Sequence, residues 1–140
     1  MEPDRTITLV RSDGLTGAAP YAYAAMPPAG ARLVFTAGAC PLDEEGATVA
    51  PGDVAAQAEQ VMANLRTALQ AAGADLGDVL KTTVYVATTR REDLVAAWDV
   101  VHRHFGDHDA PSTLLGVSVL GYPDQLIEVE AVAALRSGER

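Results

Sequence analysis

Leu126-Ile127-Glu128-Val129-Glu130-Ala131-Val132-Ala133-Ala134-Leu135 is the most apolar stretch of the chain, and two glutamates interrupt it. In a strand, successive side chains point to opposite faces. Glu128 and Glu130 then share one face, about 7 Å apart at their Cα atoms, while Ile127, Val129 and Ala131 fill the other. Ionised carboxylates beside an apolar sheet lose hydration, which disfavours the charged form unless a partner or water compensates. A carboxyl group so placed can give or take a proton near neutral pH. The same spacing also suits a solvated strand face with two surface acids, and the stretch alone leaves both readings open.

Upstream, Gly121-Tyr122-Pro123-Asp124 separates this strand from another over 113–120. A helix precedes that strand. Thr89-Arg90-Arg91-Glu92 fits a capping box, Leu94, Ala97, Trp98, Val101 and Phe105 line one face, and Gly106 ends it. Trp98, on the apolar face, is assigned to the core. Residues 80–86, Leu-Lys-Thr-Thr-Val-Tyr-Val, read as a strand. A longer helix comes before it, with Val54, Ala58, Val61, Met62, Leu65, Leu69 and Ala72 at helical spacing and Gly73 at the expected cap. Its opposite face carries Gln57, Glu59, Asn64, Arg66 and Gln70. Three short strands open the chain, over 7–10, 21–25 and 32–37. Met26-Pro27-Pro28-Ala29-Gly30 forms a turn between the last two, and 41–53 is a loop.

The order is strand, strand, strand, helix, strand, helix, strand, strand. Two helices can cover only one face of such a sheet. The other face needs cover from elsewhere, and burial between subunits is the expected solution.

At 140 residues the chain is expected to form a single domain, 1–140. Hydrophobic residues make up 49%, a globular composition, and no apolar run approaches the roughly 20 residues of a membrane span. Met1-Glu2-Pro3-Asp4-Arg5 carries acids where a secretory signal starts basic, and a lone Cys40 cannot form an internal disulfide. A cytoplasmic location is expected. The net charge is −9, and the ten basic residues are scattered, so nucleic acid and anionic membranes are not expected partners.

Taken in order, several phrases carry a family resemblance. They are Ala19-Pro20-Tyr21, Phe35-Thr36-Ala37-Gly38-Ala39-Cys40-Pro41, the helix segment from Ala55 to Leu65, Asp78 to Val86, Ala110-Pro111-Ser112-Thr113, and Ile127-Glu128-Val129-Glu130-Ala131. In this order and spacing the chain resembles the Rid family, the reactive intermediate deaminases, also labelled YjgF or L-PSP endoribonucleases, roughly from Pro20 to Leu135. The resemblance implies an α/β, chorismate-mutase-like fold: a six-stranded mixed sheet, two helices on one face, and a homotrimer around a central barrel. It also implies three clefts between subunits where small enamines or imines are hydrolysed. Water adds to the imine carbon, ammonia leaves and a keto acid remains. No cofactor or metal is implied, because an iminium carbon is already electrophilic.

Residue by residue, the resemblance makes Glu128 the carboxylate that orients water or relays a proton. Tyr21 lines the pocket, and Gly38 presents its backbone N–H to the ligand. Ala37, Leu115 and Tyr122 complete the pocket, with Ala37 replacing the family's serine. Thr113 occupies the place of an arginine that grips the substrate carboxylate. Threonine cannot form that bidentate, charge-assisted pair. The chain therefore resembles an arginine-lacking branch, weak on 2-iminoalkanoates and inclined to neutral or cationic ligands. The alternative to a hydrolase is a trimeric sensor that binds a small molecule without transforming it. A ribonuclease is disfavoured by the acidic charge.

Cys40 is a candidate pocket nucleophile, or simply a packed thiol. His102, His104 and His108 gather near one helix end, where favourable charge at a C-terminus or a metal pair are the two readings. Ser112 and Thr113 have no His and Asp partners in sequence for a triad.

Overall fold

The computed structural model describes residues 7–135, so the acidic N-terminal segment read above lies outside it. Among the described residues, six strands and two α-helices follow in the expected order. They are β1 Thr8–Val10, β2 Ala24–Met26, β3 Arg32–Phe35, α1 Val54–Ala71, β4 Val79–Ala87, α2 Arg91–Phe105, β5 Ser112–Val117 and β6 Ile127–Leu135.

The apolar stretch with the two glutamates is β6, the strand on which the larger sheet is built. It pairs antiparallel with β3 on one side, Phe35 opposite Val132, and antiparallel with β4 on the other, Thr83 opposite Glu130 and Tyr85 opposite Glu128. β5 lies parallel to β4 at the edge, with Thr83 beside Thr113 and Tyr85 beside Leu115. A parallel neighbour requires a crossover, which α2 supplies. The sheet order is β3-β6-β4-β5.

The six strands do not form one sheet. β1 and β2 pair only with each other, as a separate two-stranded sheet. Pro27 and Pro28 follow β2 directly and have no N–H to donate, and Gly30 turns the chain at a φ of 79°. The ladder therefore stops before β3 begins.

On β6, Ile127, Val129, Ala131, Ala133 and Leu135 are all buried. They share one core with Val84 and Val86 of β4, with Ala58, Val61, Met62, Leu65 and Leu69 of α1, and with Ala97, Val100 and Val101 of α2. Both helices thus cover the same face. The other face carries Glu128, Glu130 and Val132 of β6, Lys81, Thr83 and Tyr85 of β4, and Thr113 and Leu115 of β5.

Three local expectations change. The Thr89–Glu92 capping box does not form: Arg90 is the N-cap residue and makes no side-chain cap bond. Thr88 takes over, accepting from Arg90 N at 3.0 Å and donating to Asp93 Oδ2 at 2.6 Å. Trp98 is only half-buried and faces a groove, because Ala97, Val100 and Val101 are the residues that α2 turns inward. Gln57, read as solvent-facing, is fully buried.

Candidate active site

The side chain of Glu128 rests against a defect in the β3 end of the ladder. Thr36 N donates to Ala131 O at 3.0 Å, and Ala39 N donates to Val129 O at 2.7 Å. Two residues, Ala37 and Gly38, therefore oppose Glu130 alone, which is a β-bulge. A Cβ on Gly38 would lie 2.0 Å from Glu128 Oε2 and 2.5 Å from its carboxyl carbon. Only a residue without a side chain lets the carboxylate lie there.

The other oxygen, Oε1, is held from two sides. Gln125 Nε2 donates to it at 3.1 Å, and Cys40 Sγ donates at 3.5 Å. Cys40 Sγ also lies 3.4 Å from Gly38 O. Burial raises the thiol pKa to about 11, and the neighbouring Glu128 carboxylate adds to the rise. A thiolate is the reactive form of cysteine, so at neutral pH Cys40 is a hydrogen-bond donor to Glu128 rather than an activated nucleophile.

Helix α1 secures the loops that bring these groups together. Gln57 Nε2 donates to Ala50 O at 3.3 Å and Asp124 O at 2.9 Å, while Leu126 N donates to Gln57 Oε1 at 2.8 Å. Ala50 and Asp124 both have positive φ, 45° and 62°, and the buried amide holds the carbonyls of both strained residues. Seven residues along the helix, Asn64 Nδ2 donates to Cys40 O and Leu42 O, each at 2.9 Å. Gln60 Nε2 in turn donates to Asn64 Oδ1 at 2.9 Å. Gln57, Gln60 and Asn64 share a side of the helix, and that polar stripe is the sequence signal for these contacts. Gln125 had no such signal beyond standing three residues before Glu128. Its buried amide also donates to Ile127 O at 3.0 Å and accepts from Tyr122 N at 3.1 Å.

Glu130 does not join Glu128. Tyr85, directly opposite Glu128, donates its phenol to Glu130 Oε1, and this bond is the largest cause of the raised Tyr85 pKa. The two acids of β6 thus have different partners.

A second group of residues lies at the β5 edge. Pro20, Tyr21, Trp98, Ser112, Thr113 and Leu114 line a cavity of about 510 Å3. Tyr21 meets Trp98 edge to face, with centroids 6.4 Å apart, and Trp98 stacks on His102 at 5.6 Å. Thr113 Oγ1 accepts from Lys81 Nζ at 2.6 Å. Glu128, Gly38 and Cys40 are absent from this cavity's lining, so one chain brings Tyr21 together with Thr113, and Glu128 together with Gly38. Ala37 and Leu115 are exposed at the sheet surface, and Tyr122 is 48% exposed in its loop.

The histidines do not converge. His104 Nε2 lies 2.6 Å from Glu59 Oε1, His108 Nε2 lies 2.7 Å from Val79 O, and His102 Nε2 lies 3.5 Å from Asp109. Among the described residues no group of three or more His, Cys, Asp or Glu side chains is placed to hold a metal ion. No helix among them is long and apolar enough to cross a membrane.

Comparison with known proteins agrees with this architecture. A Rid-family protein from Yersinia pestis, YyfB, superposes with a TM-score of 0.84 at 29% identity, covering 93% of this chain and 99% of that one. The YjgF protein of Escherichia coli superposes at 0.64 and 28% identity, covering 92% and 99%. In sequence, a RutC family protein of Pyrococcus abyssi is 36% identical over 73% of this chain and 78% of its own. The 2-iminobutanoate/2-iminopropanoate deaminase of Escherichia coli K12 is 35% identical over 75% and 81%. The model of the family described as endoribonuclease L-PSP matches residues 13–135, and the chain belongs to this Rid/YjgF/L-PSP family.

Proposed function

We propose that the protein is a Rid-family homotrimer that hydrolyses a small enamine or imine at clefts between subunits, with Glu128 handling the proton. The observation that carries this reading is the Glu128 carboxylate, held by Gln125 and Cys40 against Gly38 on the sheet face that the helices leave open. A carboxylate held at Oε1 by two donors leaves Oε2 free to take a proton from water as the oxygen bonds to the imine carbon. It can return that proton to nitrogen, so that the C–N bond breaks and ammonia leaves. The likeness to a 2-iminobutanoate/2-iminopropanoate deaminase supports the substrate class.

The split site supports the assembly. Leu33 at 50%, Phe35 at 71% and Leu115 at 43% exposure leave apolar side chains on strands β3 and β5 in water in a single chain. Packing that face against a second copy buries them, and a neighbour's Tyr21 wall can then face Glu128.

The test is Glu128→Gln, assayed with 2-iminobutanoate generated in situ and with equilibrium binding of 2-oxobutanoate. Turnover falls at least 100-fold while binding changes less than threefold. Unchanged turnover in the variant overturns the assignment. A wild-type protein that binds 2-oxobutanoate yet turns over no imine instead favours the non-catalytic binding reading.

A further inference from the structure

Lys81 stands out on the open sheet face. It follows a bulge at Leu80, where the β4–β6 register shifts between Val79 and Lys81, and it projects from the same face as Thr83, Tyr85 and Glu130. The chain has 19 acids against 10 Lys and Arg. A half-buried lysine in so acidic a protein would ordinarily find a carboxylate. Among the described residues Lys81 has no carboxylate within ion-pair distance. The acids on its face are engaged elsewhere, Glu130 by the Tyr85 phenol and Glu128 by Gln125 and Cys40. Its ammonium donates to Thr113 Oγ1 at 2.6 Å. An ammonium has three N–H donors, so two are left, and the Thr113 hydroxyl keeps its own proton to donate.

Thr113 also borders the cavity walled by Tyr21, Trp98 and Leu114. We infer that Lys81 and Thr113 together form the anion-recognition site of the cleft, and that its ligand is a small carboxylate whose apolar part rests on the Tyr21–Trp98 wall. This inference rests on the cleft reading above and adds the ligand's charge. It reverses the neutral or cationic preference that Thr113 suggests by itself, because the cation comes from the adjacent strand. By standard strand geometry Thr113 and Glu128, two strands and one side-chain row apart, are separated by about 12 Å at Cα. Thr83 and Tyr85 of β4 lie between them on the same face, so Thr113 and Glu128 of one chain do not share a pocket.

A half-buried ammonium gives a carboxylate more than a surface lysine does, because the local dielectric is lower. It lacks an arginine's fork, so it discriminates charge without enforcing one carboxylate orientation.

The experiment is equilibrium binding of 2-oxobutanoate and its neutral amide, 2-oxobutanamide, to the wild type, Lys81→Met, Lys81→Gln and Lys81→Arg. Size-exclusion chromatography with light scattering is run on each. The wild type binds the acid at least tenfold tighter than the amide. Lys81→Met and Lys81→Gln abolish that ratio, Lys81→Arg keeps most of it, and amide affinity changes less than threefold throughout. A ratio unchanged in both neutral variants overturns the inference, as does a wild type that binds neither compound or binds both alike. Dissociation of the oligomer on loss of the lysine charge, with the ratio intact, also overturns it and makes Lys81 an intersubunit ion-pair residue. Because binding is read without turnover, a Glu128→Gln result that defeats the hydrolase reading leaves this outcome separately decidable.

Discussion

Gly38 and Cys40 meet Glu128 in ways that separate stability from activity. Gly38 has no positive φ, so alanine is not excluded by the backbone, and the atoms its Cβ would strike belong to the Glu128 carboxyl end. That end can swing away at small cost. Gly38→Ala therefore lowers stability by less than about 1 kcal/mol while displacing the carboxylate. Imine turnover falls at least tenfold with the thermal midpoint almost unmoved, and parallel kinetics and calorimetry check the split. Cys40 makes a pH prediction. Its thiol pKa of about 11 lies above the ordinary value, so thiolate is scarce at neutral pH and gained only as the pH rises towards 11. Alkylation by iodoacetamide at pH 8 is therefore slower than that of free cysteine, and its rate keeps climbing beyond pH 10. A rate plateau near pH 8 would show the thiol to be activated.

Helix α1 does more than supply an apolar stripe. Its buried Gln57 amide holds Ala50 O, Asp124 O and Leu126 N, tying two positive-φ residues to one side chain. Gln57→Leu preserves the volume roughly but leaves those three backbone groups without their partner. A destabilisation of about 2 kcal/mol follows, since unsatisfied backbone groups near the core cost on that order. Urea unfolding measures it. Because the loop that carries Gln125 loses its anchor, the same variant also weakens imine turnover. Glu59 on the outer face of the same helix behaves differently. Hydrogen bonds from His104 and Arg103 lower its pKa, yet the group is exposed and screened, so Glu59→Gln is a mild change.

In the whole molecule, the open face of the β3-β6-β4-β5 sheet is the surface on which the proposed trimer packs. Phe35, 71% exposed beside Val132, is its most conspicuous apolar side chain. Burying a phenylalanine contributes roughly 1.5–3 kcal/mol, and in the proposed trimer three symmetric copies multiply that contribution. Phe35→Lys is expected to convert the oligomer to monomer and to lose turnover with it, as read by light scattering and kinetics together. Val95→Lys, at a position on α2 that is 56% exposed, is the control and leaves the mass unchanged.

The alternation of β6 and the helical spacing of α1 were legible in order and type, because each reflects a period that burial imposes along a single element. Ile127, Val129 and Ala131 face the core as their spacing predicts, and so do Val61, Leu65 and Leu69. The family resemblance, too, lies in local phrases of sequence, and the Glu128–Gly38 contact joins two of them. What distant elements do to one another was not legible. The Ala37–Gly38 bulge against Glu130, the burial of Gln57, the capture of Glu130 by Tyr85 and the half-buried place of Trp98 depend on which segments the sheet sets side by side. Lys81 shows this most clearly. Thr113 in sequence is a position that has lost its cation, while in the folded chain a lysine 32 residues earlier lies 2.6 Å from its hydroxyl. Period along the chain is set by local geometry and water, but the partners of a polar side chain are set by strand register.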